Sequence, residues 1–112
     1  MKDDKLYLRH ILECSSKIKE YTHDGREKFL QSGVVQDAVL RNLQIMTESP
    51  QHLSAALKER HAEVDWRGLS GFQNILVHDY LGVDLEIVWT LVDEKPSGLV
   101  QAARVELASL NQ

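Results

Sequence analysis

Apolar residues recur every three or four positions along most of the chain, which is the period of an α-helix. The first such segment covers residues 4–21, and its inward stripe is Leu8, Ile11, Leu12, Ser15 and Ile18. No segment keeps the strict two-residue alternation that is typical of a half-buried strand. The pattern therefore predicts an all-α fold.

Turn and cap residues divide the remainder of the chain into further helices. These are predicted over residues 26–31, 34–46, 49–60, 66–80 and 84–92, with a last helix that starts at 97 or 98 and ends near 110. The third of them starts at Ser49 and Pro50, which have the residue types of an N-cap and a first helical position. Leu110 is expected to face the core from the last helix. We therefore expect an antiparallel bundle of four or five helices, forming one domain over residues 1–112.

Composition narrows the class of protein. The chain has 112 residues and a formal net charge of −4, which argues against tight, unassisted RNA binding and suits a basic partner. No run approaches the roughly 18 apolar residues of a membrane-spanning helix, and the acidic start lacks an apolar signal core. Cys14 is the only cysteine, so no internal disulfide is possible. We therefore expect a cytoplasmic protein with no membrane partner.

The five histidines form no metal-binding pattern. None belongs to a His-Glu-x-x-His motif, and none is paired with a cysteine at zinc spacing. The chain also contains no glycine-rich loop of the kind that holds phosphates. We therefore predict no bound metal and no cofactor.

Polar residues form a stripe on the predicted helix over residues 66–80. Arg67, Asn74 and His78 fall on one side of it, and Asn74 precedes His78 by one turn, so the two side chains can touch. A glycine two residues after Tyr80 is a natural helix terminus. His78 and Tyr80 are thus placed at a helix end, where spacing alone favours a structural role for both.

A second polar stripe lies on the helix over residues 34–46 and just beyond it. Its members are Asp37, Arg41, Gln44 and Glu48. Asp37 and Arg41 are four positions apart, the spacing of a favourable ion pair on a helix. From the pattern alone, a solvated face is the favoured interpretation.

The stretch QNILVHDYLGVD, residues 73–84, resembles the signature of the HepT-like toxins of the HEPN superfamily. The hallmark of that family is an arginine, four residues, a histidine, one residue and a tyrosine. His78 and Tyr80 match it, while Gln73 stands in the arginine position. The resemblance extends to residues 3–8, 35–39, 41–43, 66–67 and 84–89, and so covers nearly the whole chain.

The resemblance implies a HEPN-like helical bundle that acts as a metal-independent endoribonuclease. A homodimer, or a larger oligomer, would bring two His78 side chains to one groove, one as base and the other as acid on the RNA substrate. Asn74 would orient His78 or contact a phosphate.

The uncharged side chain of Gln73 implies weakened cleavage or none, because losing a preorganised donor to the developing oxyanion typically costs about 10²–10³ in rate. Arg41 and Arg67 are the candidate substitutes for the missing charge. Together with Asp37 they are expected to line the cleft that holds the histidine.

The resemblance also implies a partner, a nucleotidyltransferase antitoxin of the MntA type. This partner would neutralise the toxin by adenylylating Tyr80. The alternative is a catalytically inactive HEPN module that binds nucleotide or substrate and docks a nucleotidyltransferase. A third interpretation is a purely structural oligomerisation domain.

Overall fold

The computed structural model describes residues 2–78, 84–94 and 96–110. These residues form seven α-helices and one 3₁₀ turn, and no strand lies among them, so the all-α prediction is confirmed. The elements are α1 (Lys2–Tyr21), α2 (Arg26–Gln31), α3 (Gly33–Glu48), the 3₁₀ turn (Ser49–His52), α4 (Ala55–Arg60), α5 (Trp66–His78), α6 (Leu85–Glu94) and α7 (Pro96–Leu110).

The long helices pack around one apolar core. Helix α1 packs against α3 and α7, and α3 also packs against α5. Each helix contributes its apolar face, as the helical period predicts. The most deeply buried side chains include those of Leu8, Ile11, Phe29, Val39, Leu43, Met46, Leu57, Leu76, Val88 and Leu99.

Helix α1 runs antiparallel to α3. Near the start of α1, the Asp4 carboxylate accepts hydrogen bonds from the backbone N–H and the hydroxyl of Ser54, at 2.9 and 2.8 Å. Tyr7 stacks on His52, which follows the end of α3. Later in α1, Cys14 and Lys17 line one cavity together with Asn42 and Ile45 of α3. Residues early in α1 therefore meet the end of α3, and later ones meet its middle.

The structure corrects two expectations about helix ends. The Ser49 hydroxyl donates to the Ile45 carbonyl at 2.8 Å, so it closes α3 instead of capping a new helix. The turn that follows ends at His52, and Ser54 N-caps the separate helix α4 by accepting from the Leu57 N–H at 3.3 Å. Leu110 is 43% exposed and does not belong to the core.

A charged cluster ties α4 and the loop after it to α7. Arg60 donates to both Glu106 carboxylate oxygens, from Nε at 3.2 Å and from Nη2 at 2.7 Å. His61 Nε2 lies 2.7 Å from the same carboxylate, and its Nδ1 lies 3.2 Å from Glu63 Oε1. Hydrogen bonding from Arg60 lowers the pKa of Glu106, so this carboxylate stays charged at neutral pH.

The contribution of His61 to stability is expected to decline as the pH rises. Burial lowers the pKa of His61, but its interactions with Glu106 and Glu63 outweigh burial and raise that pKa above its ordinary value. The stabilisation is therefore complete below the unfolded-state pKa of about 6.5 and is lost as the pH rises through the folded-state pKa. Urea midpoints of wild type and His61→Gln, compared between about pH 5 and pH 9, should draw closer with rising pH. A gap that does not change with pH, or an equal trend in His23→Gln at an exposed histidine, would contradict this.

Candidate functional site

The start of α5 is fixed by side chains that precede it or lie in its first turn. The Asp65 carboxylate accepts a hydrogen bond from the Gly68 N–H at 2.9 Å, an N-cap contact. The Trp66 indole N–H reaches the carbonyls of Lys58 and His61, at 3.2 and 3.0 Å. Gly68 has no room for a Cβ beside that carboxylate. These contacts fix the first turn of α5, and thereby the position of the predicted polar residues along it.

The apolar face of α5 is the one that the sequence predicts. Leu76 is fully buried, and Leu69 and Phe72 are half-buried against the same core. On the other side, Arg67 and Asn74 are exposed. The amphipathic interpretation of this helix is therefore confirmed for the residues that the structure describes.

His78 is the last residue of α5. Its side chain lies outside the described part of the molecule, and so does the whole of Tyr80. The chain is described again from Asp84, whose carboxylate accepts from the Glu86 N–H at 2.9 Å and caps α6 as predicted. The position of His78 is therefore known from its backbone, at the C-terminal end of α5.

Two glutamine contacts set the register between α3 and α5. Gln44 Nε2 donates to the Leu76 carbonyl at 3.3 Å, and Gln51 Nε2 donates to Gln73 Oε1 at 3.3 Å. Gln44 lies in α3, and Gln51 lies in the 3₁₀ turn that directly follows it. Moving forward from Gln44 to Gln51 thus moves backward along α5, so α3 and α5 are antiparallel. Gln73, in the position of the family arginine, is half-buried and held by an amide–amide hydrogen bond.

This register separates the two candidate arginines. Arg41 is exposed and precedes Gln44 by about one turn, so its backbone is level with the C-terminal end of α5, where His78 lies. Arg67 is in the first turn of α5, eleven residues before His78 or about 16 Å along the helix axis. Within one chain, the fold brings Arg41 to the histidine end and leaves Arg67 at the opposite end.

Asp37 lies one turn before Arg41 on α3 and is exposed. The ion pairs found among the described residues do not include a pair between these two side chains. The expected ion pair on this helix is therefore not formed.

The sequence analysis missed a second cation, Lys17. Burial raises the pKa of the Cys14 thiol, whereas the charges of Lys17 and Arg41 both lower it. Lys17 on α1 lines one cavity together with Cys14 and with Asn42, the residue that follows Arg41 on α3. The sequence carried only a weak signal of this, the position of Lys17 three residues after a cysteine near the core.

Neither a metal centre nor a membrane span is found in the part of the chain that the structure describes. No group of three or more His, Cys, Asp and Glu side chains there is arranged to hold an ion. No helix there is both long and apolar enough to cross a bilayer.

The fold and site together define a class of protein. It is a small all-α bundle with a histidine at the end of an amphipathic helix, which fits the HEPN superfamily. The model of the family described as "Ribonuclease HepT-like" matches residues 11–105. The chain belongs to this HepT-like ribonuclease family.

Relatives agree with this assignment. The chain is 35% identical over 98 residues to a protein of Caldanaerobacter subterraneus named "Putative RNase", covering 86% of this chain and 88% of the relative. It is 35% identical over 91 residues to the "Probable ribonuclease HepT" of Thermococcus cleftensis, covering 80% and 83%. A Methanocaldococcus jannaschii protein named "Gamma-glutamylcyclotransferase and putative RNase" is 39% identical over 92 residues, which are 81% of this chain but only 41% of that protein. No solved structure matches the chain significantly.

Proposed function

We propose that this chain is a toxin-type endoribonuclease that cleaves RNA without a metal ion. The family and the names of the relatives support a ribonuclease-type function. The structural observation that carries the proposal is the antiparallel register of α3 and α5, which puts Arg41 level with the helix end that bears His78. Lys17 is the second proposed source of positive charge, because it lines a cavity together with Asn42, the residue after Arg41.

The reaction needs a base, an acid and positive charge at one phosphate. His78 as base removes the proton of a ribose 2′-hydroxyl, and the 2′-oxygen bonds to the adjacent phosphorus. The bond from phosphorus to the 5′-oxygen breaks, leaving a 2′,3′-cyclic phosphate. His78 of a second copy, in a homodimer, protonates the departing 5′-oxygen. Arg41 and Lys17 stabilise the charge that builds on the phosphoryl oxygens, and Asn74 orients the histidine.

Tyr80 is the proposed point of control. A partner nucleotidyltransferase would transfer AMP from ATP to the Tyr80 hydroxyl, forming a phosphodiester bond and releasing pyrophosphate. The added negative charge beside His78 would repel the RNA backbone. Intact mass after co-expression with such a transferase should show the gain of one AMP in wild type and none in Tyr80→Phe. Equal masses of wild type with and without the transferase would contradict the proposed adenylylation of Tyr80.

A second candidate function is a binding module that docks the transferase and does no chemistry. Two observations favour it. Gln73 is uncharged and engaged with Gln51, and the net charge of −4 does not attract RNA. Growth arrest on expression of the chain alone separates the two functions, because only a ribonuclease is expected to be toxic without its partner.

The function is tested with two RNA strands of the same sequence. The first has ordinary riboses, and the second has 2′-deoxyriboses at the sites where the first is cut. We expect cleavage of the first strand in the presence of EDTA, products ending in 2′,3′-cyclic phosphate, and no cleavage of the second at those sites. Products that carry a 3′-hydroxyl, or activity that EDTA abolishes, would contradict the proposed reaction. Absence of cleavage would favour the docking module.

A further inference from the structure

A groove between α1 and α3 holds a cluster of three aromatic rings that the proposed reaction does not use. Tyr7 and His52 stack, with ring centroids 4.6 Å apart and an angle of 15° between their planes. His10 meets Tyr7 edge-on, at 5.9 Å and 87°. All three residues line one cavity of about 460 Å³, together with Lys17 and Glu48 among others. We call this cavity the ring groove.

We propose that the ring groove is a subsite for an unpaired nucleobase of the RNA substrate, which stacks on His52. This inference rests on the proposed function and extends it from the cleaved phosphate to the strand beside it. His52 is exposed, and Tyr7 already supports one of its faces. A base on the outer face would continue the stack. Aromatic side chains that carry successive bases are the usual way in which proteins hold single-stranded RNA.

The groove leads towards the proposed reaction site. Tyr7 and Lys17 line it from the same helix, ten residues or about 15 Å apart along the axis. Because α1 and α3 are antiparallel, the Lys17 end lies towards the middle of α3, where Asn42, the residue after Arg41, also lines the cavity. Arg41 is level with the end of α5. A strand with its reacting phosphate at the two cations can therefore run along α1 and reach the rings.

The charges of the groove suit a base better than a phosphate. Glu13 and Glu48 line it and are exposed. Carboxylates repel phosphates, but they accept hydrogen bonds from the amino and imino groups of bases. The rings and carboxylates would thus hold the base, while Lys17 at the far end meets the backbone.

Binding is measured without cleavage by using a fluorescein-labelled, single-stranded RNA with 2′-O-methyl riboses, in which the 2′-oxygen has no proton to lose. The variant His52→Ala removes an exposed ring and is expected to raise the Kd about tenfold, as stacking on one aromatic side chain is typically worth about that factor. Tyr7→Leu should act in the same direction, whereas Tyr7→Phe keeps the ring and should bind like wild type. The matched control is His23→Ala, at an exposed histidine in the turn after α1.

A second probe separates stacking from charge. The same strand with abasic residues should bind wild type about tenfold more weakly, and His52→Ala should bind both strands equally. Equal affinity of wild type and His52→Ala for the normal strand would overturn the inference, and so would failure of wild type to bind it. A change of oligomeric state in His52→Ala, seen by light scattering without a change in RNA affinity, would overturn it in favour of an interface between copies. The proposed function is judged separately, by cleavage of the 2′-hydroxyl strand.

Discussion

Replacing His78 with alanine is expected to lower the rate of RNA cleavage by about 10²–10⁴-fold, the usual contribution of a general acid or base. His78 ends α5 beside a helix that carries Arg41, so its backbone is placed to bring an imidazole to the same phosphate. In the proposed dimer one substitution removes both the base and the acid, which puts the expected loss towards the upper part of this range. Single-turnover cleavage of a labelled RNA measures it directly.

The control for this substitution is His23→Ala. His23 is exposed in the turn after α1, and it is neither a proposed reacting group nor one of the three rings of the ring groove. It should leave the cleavage rate unchanged. His78→Ala should also bind the 2′-O-methyl strand as wild type does, since it removes a reacting group and not the proposed base subsite. Cleavage by His78→Ala within a few-fold of wild type would show that another group performs the proton transfer.

Replacing Gln73 with arginine is expected to raise the rate of cleavage by about 10²–10³-fold, the effect typical of one preorganised donor to a developing oxyanion. Gln73 is half-buried, and its side-chain oxygen accepts a hydrogen bond from Gln51. Its amide is uncharged and therefore brings no positive charge to the site. An arginine there restores the residue of the family signature and adds a bidentate cation five residues before His78. The same single-turnover assay measures the gain.

The matched control for added charge is Gln31→Arg. Gln31 is exposed at the end of α2, and this substitution changes the net charge of the chain by the same amount. If it raised the rate equally, general attraction of RNA would explain the gain. If Gln73→Arg left the rate unchanged, Arg41 and Lys17 would already supply all the positive charge that the reaction uses. Expression of both variants beside wild type shows whether only Gln73→Arg arrests growth.

Much of the fold could be predicted because the apolar face of a helix is set by the spacing of apolar residues along the chain. The stripe of α1 and the apolar face of α5, with Leu76 at its centre, follow directly from residue spacing. The Asp84 cap is equally local. The prediction that Ser49 is an N-cap was wrong, because a hydroxyl at a helix boundary can either cap the next helix or bond back to the previous one. In the structure, the Ser49 hydroxyl bonds back to the Ile45 carbonyl.

The sequence by itself determined that the chain is helical, that it belongs with the HepT-like proteins, and that Gln73 replaces the signature arginine. Only the tertiary structure decided which other cation stands near the histidine end. Arg67 shares a helix face with His78 but is separated from it by the length of that helix. Arg41 is remote in sequence, and the antiparallel packing of α3 on α5 brings it level with the same end. Helical spacing fixes distances along one helix, whereas distances between helices depend on the register in which their faces pack.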